Sequence, residues 1–392
     1  MRCITPDWFA DVSVQAFIAF CAEHSLPIRF VGGCVRDSVI GREVGDIDVA
    51  TSATPHQVLE AAARSPFKAI PTGLAHGTVT LVVHGRAFEV TTLRMDTACD
   101  GRHARVQFTD DWEVDAMRRD FTFNALMLSP DGTLYDYTGG IQDVCEGRVR
   151  FIGEASERIA EDYLRILRFF RFYATYGKIP LDGATISALA DNAPYLTRLS
   201  VERIAQEMRK LLAASSPVAA LILMREAGVL NVLCPDATPD IAALSQLIAL
   251  EHAPDMLLRL HVLYPLDAIR FATHWRFSNA QQRALNTLAS ASPITNAHEL
   301  RLALYRHSRA IVIATLERDA ALSHENMNQE WAALAQHALI PVFPMNGSML
   351  LELGAPPGHA LGHTLKRLEA AWISSDFILT QEQLLMQLNH AI

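Results

Sequence analysis

The chain has 392 residues, too many for one typical hydrophobic core, so two to four domains or subdomains are expected. Half of the residues are hydrophobic and a fifth are charged, an ordinary soluble composition, and no apolar stretch is long enough to span a bilayer. The net charge of −9 counts against a nucleic-acid partner for the chain taken whole, although clustered arginines can hold a polyanion even on an acidic protein.

Residues 1–22 carry two aspartates and lack a basic start with a clean apolar centre, so they do not read as a signal peptide. Cys3, Cys21, Cys34, Cys99, Cys145 and Cys234 are scattered, with no Cys-x-x-Cys. That spacing argues against a zinc knuckle and a disulfide framework, and a reducing cytoplasm is expected.

In chain order, Phe30-Val31 leads into Gly32-Gly33-Cys34-Val35-Arg36-Asp37, and Gly45-Asp46-Ile47-Asp48 follows. Glycines let a backbone approach phosphates closely. On a strand, Asp46 and Asp48 would point to one face and Ile47 and Val49 to the other. Two hard oxygen ligands on one strand suit Mg²⁺, which takes carboxylates together with substrate phosphates. A Gly-Gly pair alone is usually a turn and a lone Asp-x-Asp a solvated strand end. Their order and spacing favour the functional reading.

His76 to Val83 and Arg86 to Leu93 read as two strands of a hairpin around His84-Gly85. Glu89, on the second, is a possible third carboxylate or simply a polar residue on an exposed face. Asp96 to Arg105, with Gly101 and two arginines, reads as a mobile loop. Arg118-Arg119-Asp120 stands before an apolar strand, expected at Ala125 to Leu128, where a guanidinium could grip a triphosphate bidentately or form a surface Arg–Asp pair. A turn at Pro130-Asp131-Gly132 and a strand at Thr133 to Tyr137 follow.

After Gly153 long helical patterns dominate to the C-terminus. Ser200 is expected to cap a helix through Leu212. Arg148, Arg150, Arg158, Arg165, Arg168 and Arg171 form either a basic stripe for a polyanion or a salt-bridged surface. In Glu161-Asp162-Tyr163-Leu164-Arg165, helical spacing makes Asp162 and Arg165 neighbours and a pair. The repeat of three drifts about 60° per step, so Arg171 is expected roughly opposite Asp162. An Asp–Arg pair can read a base edge: cytosine and adenine both offer an exocyclic amino donor beside a ring-nitrogen acceptor. By spacing alone, a helix-surface salt bridge explains the pair at least as well.

These segments together resemble the class II tRNA nucleotidyltransferase and bacterial poly(A) polymerase family. The match runs through Gly32-Gly33-x-x-Arg36-Asp37, Gly45-Asp46-x-Asp48, Arg118-Arg119-Asp120-Phe121-Thr122-x-Asn124, Gly139-Gly140-Ile141-Gln142-Asp143 and Glu161-Asp162-x-x-Arg165-x-x-Arg168-x-x-Arg171. It covers about residues 28–175, and the helical remainder matches only in general character. The resemblance implies an α/β nucleotidyltransferase head, with a small mixed, largely antiparallel sheet and flanking helices, followed by an all-helical neck, body and tail. The corresponding bounds are 1–145 for the catalytic head, 146–230 for the neck and 231–392 for the tRNA-binding body and tail.

It also implies that Asp46 and Asp48 are catalytic and hold two Mg²⁺ ions. Gly33, Arg36 and Arg119 would contact the nucleotide, Asp162 and Arg165 would read its base, and Arg168 and Arg171 would support them. The loop at Asp96 to Arg105 would help the switch from C to A addition. CTP, ATP and tRNA are the implied partners, with no membrane and no implied oligomeric state.

The leading expectation is template-independent addition of C, C and A to tRNA. The alternatives are a poly(A) polymerase and a catalytically silent RNA-binding protein. Tyr163 after Asp162, and a chain that ends at Ile392 without a basic tail, favour tRNA over poly(A) synthesis. Intact Asp46, Asp48 and Arg36 argue against a silent protein. His359 and His363 have metal-pair spacing on a helix, but Gly354, Gly358 and Gly362 suggest helix packing instead.

Overall fold

The computed structural model describes residues 2–99 and 104–389. The chain forms two compact units that divide between Asp236 and Ala237. In the first, the elements run β1 (Arg2–Cys3), α1 (Val12–Glu23), β2 (Ile28–Val31), α2 (Gly33–Val39), β3 (Asp48–Thr51), α3 (Pro55–Ala63), β4 (Lys68–Gly73), β5 (Thr78–Val83) and β6 (Arg86–Thr92). Then come β7 (Arg94–Cys99), β8 (Ala104–Phe108), α4 (Trp112–Met117), β9 (Met127–Leu128), β10 (Thr133–Tyr135) and α5 (Gly140–Glu146). Helices α6 (Ala155–Glu161), α7 (Leu164–Tyr176), α8 (Gly183–Asn192), α9 (Val201–Leu212), α10 (Pro217–Glu226) and α11 (Val229–Leu233) complete it.

Eight strands form one sheet in the order β1-β10-β9-β2-β3-β6-β5-β4. Its neighbours are antiparallel except β3 and β6, which run parallel. The sheet is mixed and largely antiparallel, as expected. One face is closed by α1, whose Phe17 stacks on Phe88 at 4.4 Å between ring centroids. Phe30, Val49 and Leu81 fill the same core. Asp11 caps α1 with its side chain, and Thr54 and Gln57 form a capping box on α3.

The helices after the sheet share an aromatic core with it. Phe121 packs against Phe151, Phe169 and Phe172, and Phe123 against Phe172 and Tyr176. Phe121 and Phe123 are fully buried in that core, while Arg118 and Arg119 keep part of their side chains open to a cleft.

Four local expectations are corrected. Ala125 to Leu128 is not one strand: Thr122–Ala125 is a 3-10 turn and only Met127–Leu128 pairs. Asp120 holds the turn, its Oδ1 accepting from Phe121 N and Asn124 Nδ2. Strand β3 begins at Asp48, so Asp46 and Ile47 precede it. The in–out alternation still holds, with Ile47 2% exposed between two exposed aspartates. Ser200 stands at the N-cap of α9, but its side chain makes no capping bond. Gly354 and Gly358 sit in turns at positive φ, and a Cβ on Gly362 would meet open space, so these glycines do not serve helix packing.

The second unit is helical, from α12 (Ile241–Leu250) to α21 (Gln381–Asn389). Leu300, Leu304, Val312 and Leu316 build one of its cores, and Leu350, Leu368, Trp372 and Leu384 another. His359 and His363 are both exposed, and no metal-holding group of three His, Cys, Asp or Glu forms among the described residues.

Candidate active site

A cavity of about 650 Å³ opens at the end of β2, β3 and β6 in the first unit. Gly32 starts its floor with φ 72° and ψ −125°, a backbone that L side chains rarely adopt. A Cβ there would stand 3.7 Å from Arg119 Nη1. Gly33 then opens α2, and both glycines line the cavity.

Asp48 begins β3 and pairs in register with Val31 on one side and Glu89 on the other. The cleft walls desolvate Asp48 and the facing Glu89 charge adds to the effect, so its carboxyl is pushed above the ordinary range. Arg119 acts against this and Asp46 contributes to it. Asp48 and Glu89 line the cavity, with Asp46 exposed two residues before Asp48. A carboxylate held above its ordinary range with another facing it is a site that a cation would relieve.

The basic wall comes from eight arginines, against four lining carboxylates among the described residues. Most are braced from the Nε side. Arg36 Nε and Nη2 donate to Asp37, while its Nη1 donates to Asn124 Oδ1 at 2.7 Å. Arg118 and Arg119 both fork onto Asp115, whose side chain is 1% exposed. Arg168 Nε donates to the buried Asp120 at 2.6 Å, and Arg171 Nε to the buried Glu207 at 2.6 Å. Braced this way, a guanidinium keeps a fixed direction at little further entropic cost.

The neck helix breaks at Asp162, with φ −155° and ψ 106° between α6 and α7. This corrects the expected Asp162–Arg165 pair. Asp162 Oδ1 accepts from Leu164 N at 3.1 Å and Oδ2 from Arg203 Nη2 at 2.7 Å. Arg165 instead pairs with Glu161. The break also corrects the predicted drift, because Asp162, Arg165, Arg168 and Arg171 all line the one cavity. The basic stripe divides: Arg148, Arg150 and Arg158 are taken by Glu146, Asp143 and Glu161, outside the lining.

Gly139-Gly140-Ile141-Gln142-Asp143 braces this wall from behind. A Cβ on Gly140 would stand 2.3 Å from Thr122 O, and Asp143 accepts from Thr122 Oγ1 at 2.6 Å and Arg150 Nε at 2.8 Å. The loop expected from Asp96 to Arg105 is corrected in part: residues 96–99 and 104–105 belong to the antiparallel pair β7 and β8, and residues 100–103 lie outside the described residues.

Residues 28–150 match the family model described as the poly A polymerase head domain, and residues 179–241 the one described as a probable RNA- and SrmB-binding site of polymerase A. The mitochondrial CCA tRNA nucleotidyltransferase 1 of Danio rerio is 33% identical over 395 residues, spanning 94% of this chain and 88% of the relative. The chain belongs to the CCA-adding tRNA nucleotidyltransferase family.

The CCA-adding enzyme of Latilactobacillus sakei is 31% identical, over 91% of this chain and 92% of its own. The crystal structure of the Bacillus stearothermophilus CCA-adding enzyme in complex with CTP superimposes with a TM-score of 0.76 at 29% identity, covering 95% and 94% of the two chains. The α/β head followed by helices is therefore the fold of this family, and the chain is a nucleotidyltransferase.

Sequence reasoning missed Arg94, Asp115, Arg203 and Glu207. Asp115 left a signal, standing three and four residues before Arg118 and Arg119 in helical spacing. Arg203 and Glu207 left none, since their partners lie 41 and 36 residues away.

Proposed function

We propose that this chain adds C, C and A from CTP and ATP to the 3′ end of tRNA without a template, releasing pyrophosphate. The observation that carries this is the cavity itself: carboxylates at the sheet end, braced arginines opposite, and an Asp162 and an Arg165 each held by a different partner. Because they do not neutralise each other, both keep an edge for a base. Asp162 accepts the exocyclic amino group of cytosine or adenine, and Arg165 donates to the neighbouring ring nitrogen. Uracil and guanine present a carbonyl and a ring N–H there, leaving both groups unsatisfied.

Asp46 and Asp48 would hold two Mg²⁺ ions: no ready group of three ligands forms among the described residues, and Mg²⁺ takes one or two carboxylates completed by substrate phosphates. When bound, the ions supply charge neutralisation at the triphosphate and acidify the attacking hydroxyl. The chain's own part is to seat the triphosphate against Gly33, Arg36 and Arg119 and to hold Arg168 and Arg171 in line. The 3′-oxygen of the RNA forms a bond to the α-phosphorus, the bond to pyrophosphate breaks, and the hydroxyl proton leaves. Residues 1–145 act as the catalytic head, 146–230 as the base-reading neck and 231–392 as the tRNA-binding body and tail. No helix among the described residues is long and apolar enough to cross a membrane. The scattered free cysteines fit a reducing compartment, which we take to be the cytoplasm.

The test is incubation of tRNA lacking its 3′ end with CTP, ATP, UTP or GTP, singly and together, followed by product sizing. A defined CCA end is expected. A long A tail would turn the assignment to poly(A) synthesis, and no extension would leave RNA binding alone.

Asp162→Ala is expected to weaken CTP and ATP together and to let UTP compete, with a loss of discrimination of about 1–3 kcal/mol. Single-nucleotide incorporation measures it. An unchanged preference for CTP over UTP would reduce Asp162 to the surface partner of Arg203.

A further inference from the structure

Nucleotidyl transfer is an in-line displacement, so on the reading above the attacking hydroxyl and the departing pyrophosphate lie on opposite sides of the α-phosphorus. The strand order assigns those sides. Across the sheet, β2 leads to Gly32 and Gly33, β3 to Asp48, β6 carries Glu89 and Thr91, and β5 carries Thr78. Arg119 stands over Gly32, which puts the braced arginine and the glycine turn on the β2 side of Asp48. The acceptor strand is left the β6–β5 side.

That side is built. Asp48 pairs with Glu89, and Thr78 with Thr91, while Glu89 and Thr91 are two residues apart, so all four share one face of the sheet. Thr78 is 9% exposed, and its Oγ1 lies 3.1 Å from Thr91 Oγ1. Beyond them stands Arg94. Its Nη1 donates to the His76 carbonyl at 2.5 Å, and its backbone N–H donates to Asp115 Oδ1 at 3.3 Å. Its Nε is buried without a hydrogen-bond partner, and it lines the same cavity. Among the described residues it is the lining arginine that no carboxylate holds. It is also close enough to Arg118 for the two positive charges to act on each other. An unmatched cation beside another cation, with a buried donor to spare, calls for an anion.

We propose that Thr78, Thr91 and Arg94 form the seat of the RNA acceptor end, with Arg94 taking the phosphodiester before the terminal ribose and the two hydroxyls facing that ribose. The ligand is then the acceptor's backbone, and the seat is independent of which base is added.

The experiment is steady-state kinetics of Arg94→Ala and Arg94→Lys on tRNA lacking its 3′ end, with salt titration of tRNA binding to each protein. For Arg94→Ala, the KM for tRNA is expected to rise about ten- to a hundredfold. The KM for CTP should stay within about twofold and the preference for CTP over UTP should hold. The log–log slope of binding against salt should become shallower by about 0.7, the loss of one single-strand phosphate contact. Arg94→Lys should recover much of that slope. A raised KM for CTP with an unchanged KM for tRNA would overturn the proposal and give Arg94 to the triphosphate. A lowered melting temperature with both KM values and the salt slope unchanged would reduce it to an anchor of β7. If the wild-type chain extends no tRNA, nucleotidyl transfer itself falls and this seat falls with it. A working wild type beside an indifferent Arg94→Ala overturns only the seat.

Discussion

Asp48→Asn is expected to lower the rate of nucleotide addition about 10³-fold or more while the protein stays folded. A ligand to the catalytic cations is worth several kcal/mol of transition-state stabilisation, and each 1.36 kcal/mol is a factor of ten. The change conserves shape and removes charge. Asp48 faces the cavity, and burial together with the Glu89 charge raises its carboxyl pKa. A group whose pKa is higher in the folded state than in the unfolded one destabilises the fold once ionised, that is, at neutral pH. Asp48→Asn should therefore melt at the same temperature as wild type or slightly above it, in the absence of divalent metal. Single-turnover incorporation of CTP and a thermal melt in chelator decide the matter. A near-normal rate in a folded variant would remove Asp48 from the cation site. A large fall in melting temperature would mean that the carboxylate holds the fold together instead.

The second large effect belongs to Asp115. Both Arg118 and Arg119 fork onto this one carboxylate, whose side chain is 1% exposed, and the Arg94 backbone N–H reaches it as well. Burial alone would raise its pKa, but Arg119 and Arg118 outweigh burial and hold the carboxyl below the ordinary value. Asp115→Ala leaves two partly buried guanidinium groups without their shared partner. Breaking a buried pair from one side costs about 3–5 kcal/mol. Denaturant unfolding measures that loss, and a variant within about 1 kcal/mol of wild type would show that the arginines find other partners. The sign of the pH effect follows. A depressed folded pKa contributes stability that is present above the unfolded value near 3.8 and is lost as pH falls through the folded one. Asp115→Asn should lose that part of the acid dependence of stability. In the same variant the KM for CTP should rise, since Arg119 loses its direction toward the cavity.

Much of the site was readable because its chemistry is local. Glycines at Gly32 and Gly33, carboxylates at Asp46 and Asp48, and Arg118-Arg119-Asp120 each occupy a few consecutive residues, and all but Asp46 line the one cavity. The hairpin of β5 and β6 was equally local, since His84-Gly85 supplies the two positive φ values that a tight two-residue turn needs. One local signal has a second meaning. Helical spacing counts Asp162 as a helical residue, yet its side chain accepts from Leu164 N, the kind of bond that lets a short polar residue stop a helix.

What only the tertiary structure decided is how those pieces are held and aimed. Strand pairing set Glu89 beside Asp48, although 41 residues separate them in the chain, and the order β2-β3-β6-β5 gave the cavity two different sides. Ion pairing chose Asp120 for Arg168, Glu207 for Arg171 and Arg203 for Asp162, across 48, 36 and 41 residues. Composition and spacing announce which charges a chain carries. Which charge neutralises which is settled by packing: the partly buried Arg168 and Arg171 take the carboxylates that the packing around Phe121, Phe169 and Phe172 has brought within reach.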